Sequence, residues 1–292
     1  MSLDKIINFI ARANSIRAYP INDDPFTVLK KFELLKQDQI TNGCHLLFMD
    51  TESSLGTIEV GRFSSDTVIK DSMTIRTDLI SDVDLLLEFV QKHISRGYHF
   101  KGDAQREERW EYPMEAIREI IINMIVHRDY MQPGDSIVKI FDDSIEFFNP
   151  GKLTGLTIEQ LKTGNYVSSV RNKQIAMIFK EAGLIEKYGS GIRRVIKGFE
   201  EYQLKSPVFE EFQHGFRVTI FKTPQKTPQK NPVRLKIIDL LLVEPELSQR
   251  AVAEKLGISF DSVKEHFTKL KKESRIKRIG SRKNGFWEVL DK

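Results

Sequence analysis

Three residues of one helical segment form a stripe that a packed core would not require. Within Glu115–Tyr130, Glu119, Asn123 and His127 recur at four-residue intervals among Ile117, Ile120, Ile121, Ile122, Met124, Ile125 and Val126. At 3.6 residues per turn they drift by about 40° per step, so they make one polar band on a helix that is otherwise apolar. A carboxylate and an amide withdrawn from water need either partners or a solvated cavity. Two arrangements meet that need: a buried network with Arg118, Arg128 or Arg171, or a pocket lined by the stripe.

A second set of chemically competent residues lies near the C-terminus. Ser262, Lys264, His266 and Lys269 share the face opposite Val263, Phe267 and Leu270, and Arg282 and Lys283 stand in Gly280–Gly285 between two strands. Short polar and basic side chains on an exposed helix reach base edges, and cations on a hairpin tip reach phosphates. Double-stranded DNA is the expected partner, with a protein-binding module as the alternative.

The elements that must hold this second set follow from local signals. Arg234–Val243 reads as a helix with Leu235, Ile238, Leu241 and Leu242 at core spacing. Ser248 caps a second helix, Gln249–Leu256, and Gly257 ends it. Ser259 or Asp261 caps a third, and strands Ile276–Ile279 and Phe286–Leu290 follow. That order is a winged helix-turn-helix over residues 233–292. Before it, Thr-Pro-Gln-Lys occurs twice from Thr223 and Asn231-Pro232 follows, so residues 223–232 read as an extended linker.

The polar stripe belongs to a body that alternates strands and helices. Cys44–Met49, Thr57–Phe63 and Met73–Leu79 read as strands, Ser81–Arg96 and Pro113–Val126 as helices. Ser136–Phe141 and Ile145–Phe148 make a hairpin, helices follow near Thr157–Leu161, Asn172–Ala182 and Ile192–Tyr202, and strands Val208–Phe212 and Phe216–Phe221 close the body. A weaker boundary is expected near Gly102–Trp110. The fold class is α+β.

Composition narrows the function classes. The chain has 292 residues, 40% hydrophobic and 29% charged, long enough for about two domains. Residues 223–292 hold 16 Lys and Arg against 9 Asp and Glu, a net +7, which leaves the first 222 residues at −3. An acidic polymer meets the tail first. No apolar run approaches membrane length and one cysteine, Cys44, excludes a disulfide framework, so a cytoplasmic protein is expected. Cys44 opens an apolar strand in this reading and is buried rather than reactive. The six histidines lack metal-ligand spacing. His127-Arg128-Asp129 mimics the kinase triplet without the other kinase motifs, and no phosphate-loop Gly-x-x-x-x-Gly-Lys-Ser/Thr occurs.

Glu119 and Asn123 resemble the N-box of the GHKL ATPase fold of gyrase, MutL and histidine-kinase relatives. The resemblance implies that Glu119 polarises water and that the Asn123 oxygen binds Mg²⁺ beside ATP. It places Asn149 and Gly151 at the adenine-binding Asp-x-Gly loop, and Gly189, Ser190 and Gly191 at a second glycine loop before a helix. Asn149 stands where the family has Asp, exchanging a pure acceptor for an amide whose orientation the sequence leaves open. More closely, His127-Arg128-Asp129-Tyr130, Asn149-Pro150-Gly151, Arg171-Asn172 and Tyr188-Gly189-Ser190-Gly191 resemble the divergent GHKL-type domain of bacterial RecG-related transcriptional regulators, over residues 101–222. In that family an AlbA-type, Schlafen-like domain precedes it. Residues 1–100 are then a partial AlbA-like α/β segment with its beginning missing, ahead of a GHKL-like α/β sandwich and the winged helix. The implied function is a DNA-binding transcriptional regulator, homodimeric on paired half-sites, with a degenerate nucleotide-binding sensor or dimerisation domain. The alternatives are an ATP-hydrolysing protein acting on DNA, and an interaction scaffold built on the Ser136–Phe148 hairpin.

Overall fold

The computed structural model describes residues 1–100, 106–166, 169–185, 191–222, 232–272, 275–280 and 285–290. It divides into two compact units, Met1–Gln225 and Lys226–Lys292.

The first unit opens with α1 (Leu3–Asn14), capped by the Ser2 hydroxyl, and α2 (Pro25–Lys31), where Asp24 accepts from the Phe26 and Thr27 amides. A short hairpin, β1 (Leu35–Lys36) and β2 (Gln39–Ile40), leads to α3 (Asn42–Phe48). Cys44–Met49, expected as a strand, is thus helical. Thr41 accepts from the Cys44 amide and starts the helix, and a short unbroken apolar run carries no period that separates the two states. Cys44 is nevertheless buried, and burial raises its thiol to a pKa of about 11.

Next come β3 (Ile58–Ser65), β4 (Val68–Ile75) and α4 (Leu79–His93). The strand expected to run to Leu79 stops at Ile75, because Asp78 accepts from the Ser81 amide and begins the helix there. A hairpin of β5 (Arg96–Phe100) and β6 (Arg106–Trp110) precedes α5 (Met114–His127), and β7 (Ser136–Ile140) pairs with β8 (Ser144–Pro150). Helices α6 (Ile158–Thr163), α7 (Lys173–Glu181) and α8 (Gly191–Glu201) and strands β9 (Val208–Phe212) and β10 (Gly215–Phe221) complete the unit.

Six strands form one mixed sheet in the order β4-β3-β7-β8-β10-β9. All neighbours are antiparallel except β3 and β7, which run parallel from Ile58↔Ser136 to Arg62↔Ile140. A parallel pair needs a long crossover, and the chain through α4 and α5 supplies it. The boundary expected near Gly102–Trp110 therefore does not separate compact units. Residues 1–100 contribute two strands to the sheet of residues 101–222, and one hydrophobic core runs through both.

The second unit contains α9 (Pro232–Val243), α10 (Gln249–Leu256), α11 (Phe260–Lys272) and the antiparallel pair β11 (Ile276–Ile279) and β12 (Phe286–Val289). Ser248 and Gly257 cap α10 at its two ends, Gly257 at φ +64°. Ile237, Leu241, Val252, Val263, Phe267 and Trp287 fill a core of its own. Trp287 meets Phe267 edge-on at 4.9 Å between centroids and donates to the Leu247 carbonyl at 3.1 Å. Leu242, expected in this core, is exposed, and Ile237 takes the buried position. Most of the expected linker, residues 223–231, lies outside the described residues.

Candidate ligand pocket and nucleic-acid interface

Helix α5 enters through Pro113 and buries Ile117, Ile120, Ile121, Ile122, Met124, Ile125 and Val126. What remains at four-residue spacing is half-buried. Glu119, Asn123 and His127 all line a cavity of about 810 Å³. Asn149, Gly151 and Gly191 line it too, so residues 72 positions apart along the chain meet there. Gly189 and Ser190, expected beside them, lie outside the described residues.

Glu119 has a partner that sequence reasoning missed. Its Oε2 stands 2.8 Å from Arg194 Nη2 on α8, and its Oε1 accepts from Asn123 Nδ2 at 2.9 Å. Arg118, Arg128 and Arg171 serve elsewhere or make no recorded bond to it. Arg171 pairs with Asp129 at 2.6 Å and donates to the Lys152 carbonyl, holding the segment after β8 against the end of α5. Asn172 donates to the Val126 and Arg128 carbonyls and so closes the C-terminus of α5. At Gly151, φ is +107° and a Cβ would lie 2.8 Å from Asp129 Cβ, so a side chain is excluded both by backbone and by space.

Arg128 is buried among neutral oxygens, those of Thr57, Gly134 and Ser136. Ser136 in turn donates to Asn149 Oδ1 at 3.0 Å. Burial, with a smaller contribution from the Arg171 charge, lowers the His127 pKa, so His127 faces the cavity as a neutral imidazole.

Electrostatically the cavity favours anions. Lys152, Lys173 and Lys180 line it without an ion-pair partner among the described residues, whereas Glu119 is the one acidic residue in its described lining and is already paired. Apolar side chains such as Ile120, Phe147 and Val218 supply the rest of the wall. The volume suits a ligand of nucleotide size. The lining is chemically compatible with ATP and Mg²⁺: Lys152, Lys173 and Lys180 would offset phosphate charge, and Asn123 keeps Oδ1 as an oxygen ligand for a hard cation. Glu119 fits a water-activating role less well, since both its oxygens already accept hydrogen bonds. No group of three or more His, Cys, Asp or Glu able to hold a metal occurs among the described residues.

In the second unit, α11 leaves Lys264 and Lys269 exposed and Ser262 half-exposed. Lys269 pairs with Glu265 one turn earlier, while Lys264 has no recorded ion pair among the described residues. His266 departs from expectation. It is half-buried, and its Nδ1 is enclosed without a partner among the described residues, because its position lies beside the Phe267 core rather than squarely opposite it. Arg282 and Lys283, expected at the wing tip, lie outside the described residues.

Comparison with known proteins agrees with both units. Residues 134–220 match the family described as "Putative ATP-dependent DNA helicase recG C-terminal", of the HATPase type. Residues 230–277 match a winged helix-turn-helix DNA-binding family. No curated protein matches the sequence significantly. Among solved structures, the DIP2311 protein from Corynebacterium diphtheriae is similar in fold, with a TM-score of 0.62 and 17% identity over 99% of this chain. The chain spans 62% of that protein's length. No helix among the described residues is long and apolar enough to cross a membrane. Residues 134–220 are thus similar to the HATPase-type recG C-terminal family and residues 230–277 to a winged helix-turn-helix DNA-binding family, the two joined in one chain.

Proposed function

We propose that this protein is a DNA-binding transcriptional regulator whose body senses an anionic, nucleotide-like ligand. The observation that carries the reading is the cavity along α5. It gathers Glu119, Asn123, Asn149 and three lysines without ion-pair partners among the described residues around apolar walls, in the same chain as a winged helix with its own core. The winged helix reads duplex DNA through α11, with Lys264 and Lys269 toward phosphate and Ser262 toward bases. The protein acts as a homodimer on paired half-sites, in the cytoplasm. Glu119 serves as a charge partner for Arg194 rather than as an efficient base, so ligand occupancy and not turnover is the signal.

Fluorescence anisotropy of the full chain on a randomised duplex pool, over a salt series and with or without nucleoside triphosphate and Mg²⁺, tests this. Salt-dependent binding that selects a sequence and shifts with the triphosphate is expected. Absence of DNA binding at low salt overturns the reading. Magnesium-dependent phosphate release abolished by Glu119→Ala in a folded protein would replace it with the hydrolytic alternative.

A further inference from the structure

We infer that the pocket chooses its ligand by a ring carbonyl: Asn149 presents a hydrogen-bond donor to the cavity, which favours a 6-oxopurine nucleotide over a 6-aminopurine one. The inference rests on the nucleotide-pocket reading above and adds the base class to it.

An asparagine amide is ambiguous by itself, since its two ends have the same shape and opposite polarity. Here the neighbours decide. Arg128, 3% exposed, carries only donors, and its Nη1 lies 3.0 Å from Ser136 Oγ. The Ser136 oxygen is therefore already an acceptor. Its own proton still needs a home, and Ser136 is 1% exposed, too enclosed for bulk water to provide one. Asn149 Oδ1, 3.0 Å away, is the recorded acceptor. Turning the amide over would aim two donors at the serine oxygen and strand the serine proton in a dry site. The chain Arg128–Ser136–Asn149 thus fixes Oδ1 inward.

That leaves Nδ2. It has no hydrogen-bond partner among the described residues, and it is not one of the fully enclosed orphan atoms, while Asn149 lines the cavity. The amide N–H groups are offered to whatever enters. A ring carbonyl accepts from them. An exocyclic amine in the same place sets donor against donor and leaves both unpaired away from water, the circumstance in which a binding site discriminates most strongly. The apolar wall around Phe147 and Val218 suits a flat ring, and Lys152, Lys173 and Lys180 suit its phosphates.

ITP and ATP differ at the purine 6-position as oxo against amino, which makes them the decisive pair. Calorimetric titration of the full chain with each, in Mg²⁺, is expected to show ITP binding about tenfold tighter or more. Asn149→Asp, which replaces the donor by an acceptor, is expected to reverse the order. Ser136→Ala, which unlocks the amide, is expected to bring the ratio toward one. ATP binding as well as or better than ITP in the unaltered protein overturns the inference and leaves the nucleotide pocket standing. Binding of neither nucleotide overturns both. A ratio unchanged in folded Ser136→Ala overturns the locking by Ser136. The unaltered protein decides even where Asn149→Asp fails to fold.

Discussion

Arg194 Nη2 stands 2.8 Å from Glu119 Oε2, joining the start of α8 to the middle of α5 across 75 positions of sequence. The arginine is 43% exposed, so the pair adds about 1 kcal/mol or less to stability. Its larger effect is on the cavity, where it cancels the one acidic charge of the described lining.

Glu119→Ala is accordingly expected to tighten binding of an anionic ligand a few-fold, because it removes the one acidic charge of the described lining. Titration with a nucleoside triphosphate at low salt measures it. Weaker binding in a folded variant would mean that the carboxylate contacts the ligand itself.

Gly191 begins α8 directly against Glu119. A methyl group built there falls on the carboxylate, 2.6 Å from its Cδ. Gly191→Ala should displace the Glu119 side chain and lower stability by about 1–3 kcal/mol, seen as a reduced melting temperature. Adding Glu119→Ala should recover much of the loss. Additive losses in that double-mutant cycle would show that the glycine is required for another reason.

The two exposed lysines of α11 are expected to differ. Lys269 is held by Glu265, whereas Lys264 has no recorded ion pair among the described residues. Lys264→Ala should weaken DNA binding across sequences and reduce the salt slope by about 1, and Lys269→Ala should do less. Equal affinity for both variants and the unaltered protein would remove α11 as the reading helix.

Asp82 introduces a pH dependence into the body. It is fully buried at the start of α4, accepting from the Thr77 hydroxyl and amide, and its Oδ2 has no partner among the described residues. Burial raises its pKa from 3.8 to about 7, only partly opposed by the Thr77 hydroxyl. Between those values the folded protein holds a proton that the unfolded chain has released, so stability falls as pH rises from 4 to 7. The contribution is on the order of 2–4 kcal/mol at most. Asp82→Asn should flatten the melting temperature over that window, and an unchanged slope would show that Asp82 is not its source.

Elements whose causes lie within a turn or two of chain were legible from residue order. The Ser248 cap, the Gly257 stop and the spacing of Val263, Phe267 and Leu270 define α10 and α11 with no distant contact required. The cavity-facing stripe was legible for the same reason, since three polar residues four apart on an apolar helix must face something other than core. Cys44–Met49 was misread because its helix depends on one threonine cap and on burial all round, which a short apolar run does not encode.

Residue order by itself therefore determined a basic winged helix at the C-terminus, an α+β body and a polar face on α5, since propensity, capping and periodicity act between near neighbours. Only the tertiary structure decided that β3 pairs with β7 and merges two expected segments into one sheet, that Arg194 claims Glu119, and that Arg128 and Ser136 orient Asn149. Those pairings join residues far apart in the chain. Strand register, ion-pair choice and amide orientation are set by whichever group the packed core brings within hydrogen-bond reach, and no local pattern names that group in advance.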